Sequence, residues 1–325
     1  MTMRSTLLKF IATVFSLTLI ATASGTPDRP LRAVATFSIL GDMVSRIGGE
    51  HVAVTTLVGP NGDAHVYRPT PAAARAVSEA QILVVNGLNF EGWLDRLIQA
   101  SDFAGIRAVA TARIEPMAVE DGDDHGHDRD HQEGESAEGH GDGHDDHHHG
   151  AFDPHAWQSL RHAVVYVDNI TAALATADPD NAGTFYRNRA AYVAEIEALD
   201  AEIRAMFADL PAGSRTIVTS HDAFQYFGRD YGLTFIAPQG LSTASEASAR
   251  DVARLIQFIR DQGIRAVFAE NVADPRLLER IADETGATIG GTLYPGALSG
   301  PDGPAPTYLD MMRHNATTLA QALAS

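Results

Sequence analysis

Cysteine is absent from these 325 residues, which removes disulfides, thiolate metal sites and cysteine nucleophiles together. It also removes the residue that a bacterial lipoprotein would acylate. Lysine is nearly absent: Lys9 is the only one, so beyond it every Lys/Arg charge is arginine. Neither H-E-x-x-H nor G-x-S-x-G occurs, so two common hydrolase patterns have no support. Basic charge is scarce, with a formal net charge of −18, and nothing here is built to hold nucleic acid phosphate. A cation is the partner that such a field favours.

Long apolar runs are also missing, with one exception. "MTMRSTLLKFIATVFSLTLIATASG" places Arg4 and Lys9 ahead of an apolar stretch from Phe10 to Ile20, closed by Ala21-Thr22-Ala23. The stretch is short for a membrane span and fits a secretory signal with an A-x-A cleavage pattern. Residues 1–23 are therefore expected to be a signal peptide, leaving an exported, periplasmic protein.

What is present is globular: 45% hydrophobic and 20% charged, enough chain for about two domains. Short apolar runs such as "LRAVATF", "HVAVTTLVG", "QILVVNGL" and "IRAVATA" alternate with helical patterns such as "SILGDMVSRIGG" and "TPAAARAVSEA". The theme returns after residue 209, in "SRTIVTS", "LTFIAP", "IRAVFAE" and "ATIGGTLYPG" with helices between them. Such βα repetition predicts α/β lobes, each a mostly parallel sheet flanked by helices. Between the halves, Phe185, Tyr192, Ile196, Leu199, Ile203 and Met206 share one face of a long helix. The expected organisation is an N-terminal lobe over 24–176, a linking helix over 177–208 and a C-terminal lobe over 209–325. The N-terminal lobe contains a His/Asp-rich loop at 120–150. Ligands of such folds sit in the cleft at the carboxyl ends of strands.

Three histidines fall where that cleft would be. His65 follows a strand in "VGPNGDAHVYRPTP", His155 opens a helix in "FDPHAWQS", and His221 lies at a strand-to-helix junction in "IVTSHDAFQYF". A lone histidine at any of these places is a cap or a surface residue. Together they suit zinc, for which three imidazoles plus one open or oxygen position is an ordinary arrangement. Asp153 and Asp222 are candidates to orient the rings. His51, His162 and His314 are read as packing or surface residues, Asp42 as a cap or solvent-facing group, and Trp93 and Trp157 as packing, with Trp157 close enough in sequence to wall the site.

With those pieces in place, the chain resembles the metal-binding solute receptors of bacterial ABC importers for zinc and manganese. The resemblance rests on "GPNGDAHVYRPTP", "DPHAWQS", "TSHDAFQYF", "VFAEN" and "TYLDMMRHN", which span residues 31–325 in order. It implies two pseudo-symmetric lobes with one metal ion between them, His65, His155 and His221 as ligands, an ABC permease as partner and no catalysis. A metal chaperone is a further candidate partner, and a monomer is the expected state. The third histidine points to Zn2+; manganese is the alternative cargo, and a secreted zinc hydrolase is the rival from another class. One position departs from the family pattern: "TLYPGALSG" carries Gly296 where the family has an aspartate. Water, Glu270, Asp302 or an insert histidine is left as the fourth ligand, with water or Glu270 preferred.

Eight of the fourteen histidines lie within 125–149, and residues 121–150 hold eleven Asp or Glu against one Arg. Glycine-rich and polar, this insert offers many alternative ligand pairs and no single geometry. It reads as an accessory that gathers zinc beside the cleft. Calorimetry should then show one tight zinc site in a protein lacking 121–150, and that site plus several weaker ones in the full chain. Loss of the tight site with the insert would move the site into residues 125–149.

Overall fold

The computed structural model describes residues 29–119 and 152–324. The expected signal peptide and the His/Asp-rich insert lie outside the described residues. The first sheet is built from β1 (Leu31–Phe37), β2 (Val52–Val58), β3 (Ile82–Val85) and β4 (Ile106–Val109), all parallel, in the order β2-β1-β3-β4. Helices α1 (Ser38–Gly48), α2 (Pro71–Glu79) and α3 (Leu94–Ser101) make the crossovers. The four-residue run of β3 is buried throughout, as a central parallel strand covered on both faces must be. Thr70 caps α2, its hydroxyl accepting from the Ala73 N–H, with Pro71 in the first helical turn, where a missing N–H costs nothing.

The second half repeats the pattern. β5 (Thr216–Val218), β6 (Thr234–Ile236), β7 (Ala266–Glu270) and β8 (Thr288–Leu293) form a parallel sheet in the order β6-β5-β7-β8. Helices α6 (Gln225–Tyr231), α7 (Ala249–Gln262), α8 (Arg276–Thr285) and α9 (Tyr308–Leu323) accompany it. The two sheets share one strand order, so the pseudo-symmetric, two-lobed α/β fold is present. No helix among the described residues is long and apolar enough to cross a membrane.

Two helices link the sheets in the chain: α4 (Leu160–Ala177), the helix expected after His155 but without bounds, and α5 (Ala182–Ala208). At 1.5 Å per residue α5 is about 40 Å long. Its buried stripe is Phe185, Tyr192, Ile196, Leu199, Ile203 and Phe207. Met206, expected on that stripe, lies at its edge, half-buried, because steps of three, four and four from Ile196 lead to Phe207. The helix grips both lobes. Asn188 Nδ2 donates to the Ile47 carbonyl at the end of α1, 2.9 Å away, and Arg46 on α1 pairs with Glu195. Farther along, Tyr231 on α6 donates to Asp200 at 2.9 Å, and Arg313 on α9 pairs with Glu202 at 3.2 Å.

The larger hydrophobic core runs from the first sheet through α4 and α5 to the inner side of the second; a smaller one sits under α7 and α8. Asp42 on α1, placed by sequence either in solvent or at a cap, caps α9: its carboxylate accepts from the Tyr308 N–H at 3.0 Å. The segment after β8 is likewise fastened to the opposite lobe. Pro295 C=O accepts from Trp157 Nε1 (2.8 Å) and Gln158 Nε2 (2.6 Å), and the Leu298 N–H donates to Ser38 Oγ (2.9 Å). Ile203→Ala should cost about 2–5 kcal/mol, since it leaves a cavity where both lobes meet α5. Denaturant unfolding measures this; a loss below about 1 kcal/mol would show that the strut is not shared core.

Candidate metal centre

The carboxyl ends of the strands of both sheets converge on one place. His65 lies in the loop between β2 and α2. That loop is pinned by Asp63, whose Oδ1 accepts from the His65 N–H (2.9 Å) and whose Oδ2 accepts from Thr243 Oγ1 of the other lobe (2.6 Å). Trp93 Nε1 donates to the Ala64 carbonyl (2.8 Å), and the His65 ring meets the edge of Phe90, centroids 4.7 Å apart. His155 opens the short turn Ala156–Gln158 before α4, and His221 follows β5.

These are the three histidines predicted from sequence, and the fold brings them together. One ring nitrogen from each lies within 4.8 Å of the others, the one group among the described residues arranged to hold a metal ion. A tetrahedral zinc ion with Zn–N bonds of 2.0–2.1 Å sets its ligand nitrogens about 3.3 Å apart. The Nε2 atoms of His65 and His155 are already 3.2 Å apart. His155 and His221 are fully buried and His65 is partly exposed, so a cation reaches the cluster from the His65 side.

Two rings are fixed from behind by buried carboxylates. His155 Nδ1–H donates to Asp153 Oδ1 (2.8 Å), the same oxygen that accepts its backbone N–H (2.9 Å). His221 Nδ1–H donates to Glu270 Oε2, while Glu270 Oε1 accepts the N–H groups of Ser220 (2.9 Å) and His221 (3.1 Å). Committing Nδ1 as donor fixes the tautomer and leaves a lone pair on each Nε2. The expectation of Glu270 as a fourth ligand is therefore corrected on geometry: both its oxygens are engaged on the far side of His221. Asp153 orients a ring as expected. Asp222 does not; its Oδ1 accepts from Gln225 (2.6 Å). Asp302 is exposed and stands outside the cluster.

Burial, reinforced by the neighbouring His155 and His221, pushes the His65 pKa down to about 2, so its lone pair is free throughout the physiological range. Burial pulls the His221 pKa down as well, but the charge and hydrogen bond of Glu270 outweigh it and the net shift is upward.

Gly296 sits against Trp157. A Cβ built there would meet the indole at 3.7 Å, an ordinary contact, so the glycine is not imposed by crowding. Trp157 walls the site as proposed, its ring 5.2 Å from His155 and 4.8 Å from Phe90. The remaining histidines pack: His51 on Phe185, His162 on Tyr226, and His314 on Tyr294 with a bond to the Thr292 carbonyl. A cavity of about 570 Å³ is lined by Asp63 and Ser220, close in sequence to His65 and His221, and by Thr243 and Glu246.

The family model described as "zinc-uptake complex component A periplasmic" matches residues 33–322. The chain belongs to this family of periplasmic metal-binding solute receptors of ABC importers. It is 31% identical over 319 residues to the iron-binding protein YfeA of Yersinia pestis, covering 96% of this chain and 94% of that one. It is 33% identical over 307 residues to the manganese-binding lipoprotein MntA of Bacillus subtilis, covering 93% and 92%. Among solved structures, the periplasmic zinc binding protein TroA from Treponema pallidum superposes with a TM-score of 0.79 at 27% identity, over 91% of this chain and 100% of that one. Further relatives are named as metal and iron ABC transporter substrate-binding lipoproteins, and the chain, as a member of this family, is a binding component and not an enzyme. The hydrolase alternative falls away.

Replacing Glu270 by Gln keeps an acceptor for His221 Nδ1 but removes the charge that raises its pKa. A proton on Nε2 competes with the metal as pH falls, so the acid limb of metal binding should move to lower pH in Glu270→Gln. Affinity at pH 7.5 should fall about 10–100-fold as the ring loses its orienting carboxylate. Competition against a chromophoric chelator from pH 5 to 8 reads both; an unmoved acid limb would break the link between Glu270 and His221.

Proposed function

We propose that this protein captures Zn2+ in the periplasm and delivers it to an ABC permease. The ion is cargo, held by Nε2 of His65, His155 and His221, with Asp153 and Glu270 as orienting carboxylates and a water molecule in the fourth position. The carrying observation is the donor set: three imidazole nitrogens within 4.8 Å of one another and no carboxylate oxygen in the group. Neutral imidazole suits zinc, whereas Mn2+ is better served by carboxylate oxygen and stands lowest in the divalent affinity order. Iron and manganese are the cargoes in the names of two of the relatives, which makes them the competitors to test.

The remaining parts follow the same reading. Residues 1–23 direct export, and 24–176 and 209–325 are lobes joined by 177–208. The insert at 120–150 gathers zinc and raises its local concentration beside the cleft. His65 and His155 belong to one lobe and His221 to the other, so an ion seated between them ties the lobes, and a small shift at the permease releases it.

Metal competition on the mature protein tests the assignment. Zinc should bind at least ~100-fold more tightly than manganese or ferrous iron. His221→Ala and His155→Ala should each cost zinc binding more than ~100-fold, because two imidazoles cannot hold the ion as three do. Manganese bound as tightly as zinc would overturn the zinc assignment in favour of a manganese receptor.

A further inference from the structure

Tyr226 lies on α6, and its ring takes no part in the histidine cluster. Its hydroxyl has two backbone partners. It accepts from the Met117 N–H (2.9 Å) and donates to the Asp153 carbonyl (2.9 Å). Those partners belong to the two segments that flank residues 120–151. The segments are joined to each other as well: the Asp153 N–H donates to the Met117 carbonyl (2.9 Å), and Ala118 and Phe152 form an antiparallel bridge. One buried phenol from the C-terminal lobe therefore closes both sides of a junction in the N-terminal lobe.

The next carbonyl is held from the opposite direction. Asn86, at the end of β3, donates from Nδ2 to the Pro154 carbonyl (2.9 Å). Asn86 is itself fixed, its Oδ1 accepting from Tyr166 (2.6 Å) and its backbone N–H donating to the buried Glu91 (2.6 Å). Consecutive carbonyls, of Asp153 and Pro154, are thus gripped by different lobes. Immediately before them stands the Asp153 side chain, which carries His155 on Oδ1, while its Oδ2 is buried with no partner among the described residues. Nothing on that side would recapture the carboxylate if the Asp153 backbone moved.

We infer that Tyr226 is a positioning residue for the metal site: it transmits the placement of α6 through the Asp153 carbonyl and carboxylate to the His155 imidazole, and so sets the rate at which the ion leaves. When α6 moves relative to the first sheet, Asp153 follows Tyr226 while Pro154 stays with Asn86. The peptide between them turns, and the imidazole turns with its carboxylate. This rests on the reading that His65, His155 and His221 hold the metal.

The test uses Tyr226→Phe in the mature full-length protein. Phenylalanine keeps the ring against His162 and Arg229 and deletes both hydrogen bonds. Zinc release into excess chelator should quicken about tenfold or more, in the range seen when an outer partner of a metal ligand is lost. The visible bands of the Co2+-loaded protein should weaken and broaden as His155 loses its fixed orientation. Tyr231→Phe is the control: it loses a bond of the same kind, to Asp200 on α5, and should change neither readout. Release rate and cobalt spectrum both matching wild type in Tyr226→Phe would overturn the inference. A change equal to that in Tyr231→Phe would do the same, since it would mark general loosening. If His155→Ala binds zinc as wild type does, the site assignment itself has failed, a result separate from either of these. Should Tyr226→Phe not fold, amide hydrogen exchange at Met117 and Asp153 of the wild type decides: zinc must slow both, and unchanged exchange overturns the coupling.

Discussion

Three imidazole nitrogens gathered within 4.8 Å form an arrangement that a chain keeps only under constraint. None of the three can neutralise another, and at 3.2 Å the facing Nε2 atoms of His65 and His155 leave no room for two protons. The constraint is the pair of buried carboxylates behind His155 and His221. Each is multiply bonded, to a ring Nδ1 and to backbone N–H groups, and each fixes a tautomer as well as a direction. Among the described residues His65 has no such partner; burial holds it neutral, and its loop is tied through Asp63 to Thr243.

The fold answers the same need at larger scale. Parallel strands deliver loops at their carboxyl ends, and two sheets of identical order, set around α4 and α5, point those ends at each other. Hydrogen bonds that cross the cleft join Asp63 with Thr243, the Pro295 carbonyl with Trp157 and Gln158, and the Leu298 N–H with Ser38. The core beneath is continuous with α5, which ties the two lobes, while the three histidines stand in loops and at element ends above it.

What the sequence made legible was local. Alternating strand and helix patterns located both sheets, because burial on a period of 2 or 3.6 is written in the residues themselves. The three histidines were found because each stands at the end of such an element. What was missed depended on register and on chain reversal. Helix α4, rich in alanine and valine, shows weak contrast between its faces, so the helix expected after His155 had no readable end. Glu270 was placed at the site but on the wrong side of His221, since its reach depends on β7 lying beside β5. Met206 and Phe207 are neighbours, and only the packing of α5 decided between them. Asp42 caps a helix 266 residues away, a pairing no local pattern contains.

The chain has only two tryptophans, and both stand beside histidines that the first lobe gives to the cluster. Trp93 donates to the carbonyl of Ala64, the residue before His65, and Trp157 stacks edge-on against His155. Each indole therefore shares the surroundings of one imidazole of the cluster. With no tryptophan elsewhere to add background, the protein's own ultraviolet emission is a direct optical readout of the cluster, and no dye has to be attached to a chain that offers neither a thiol nor, beyond Lys9, a lysine to attach it to.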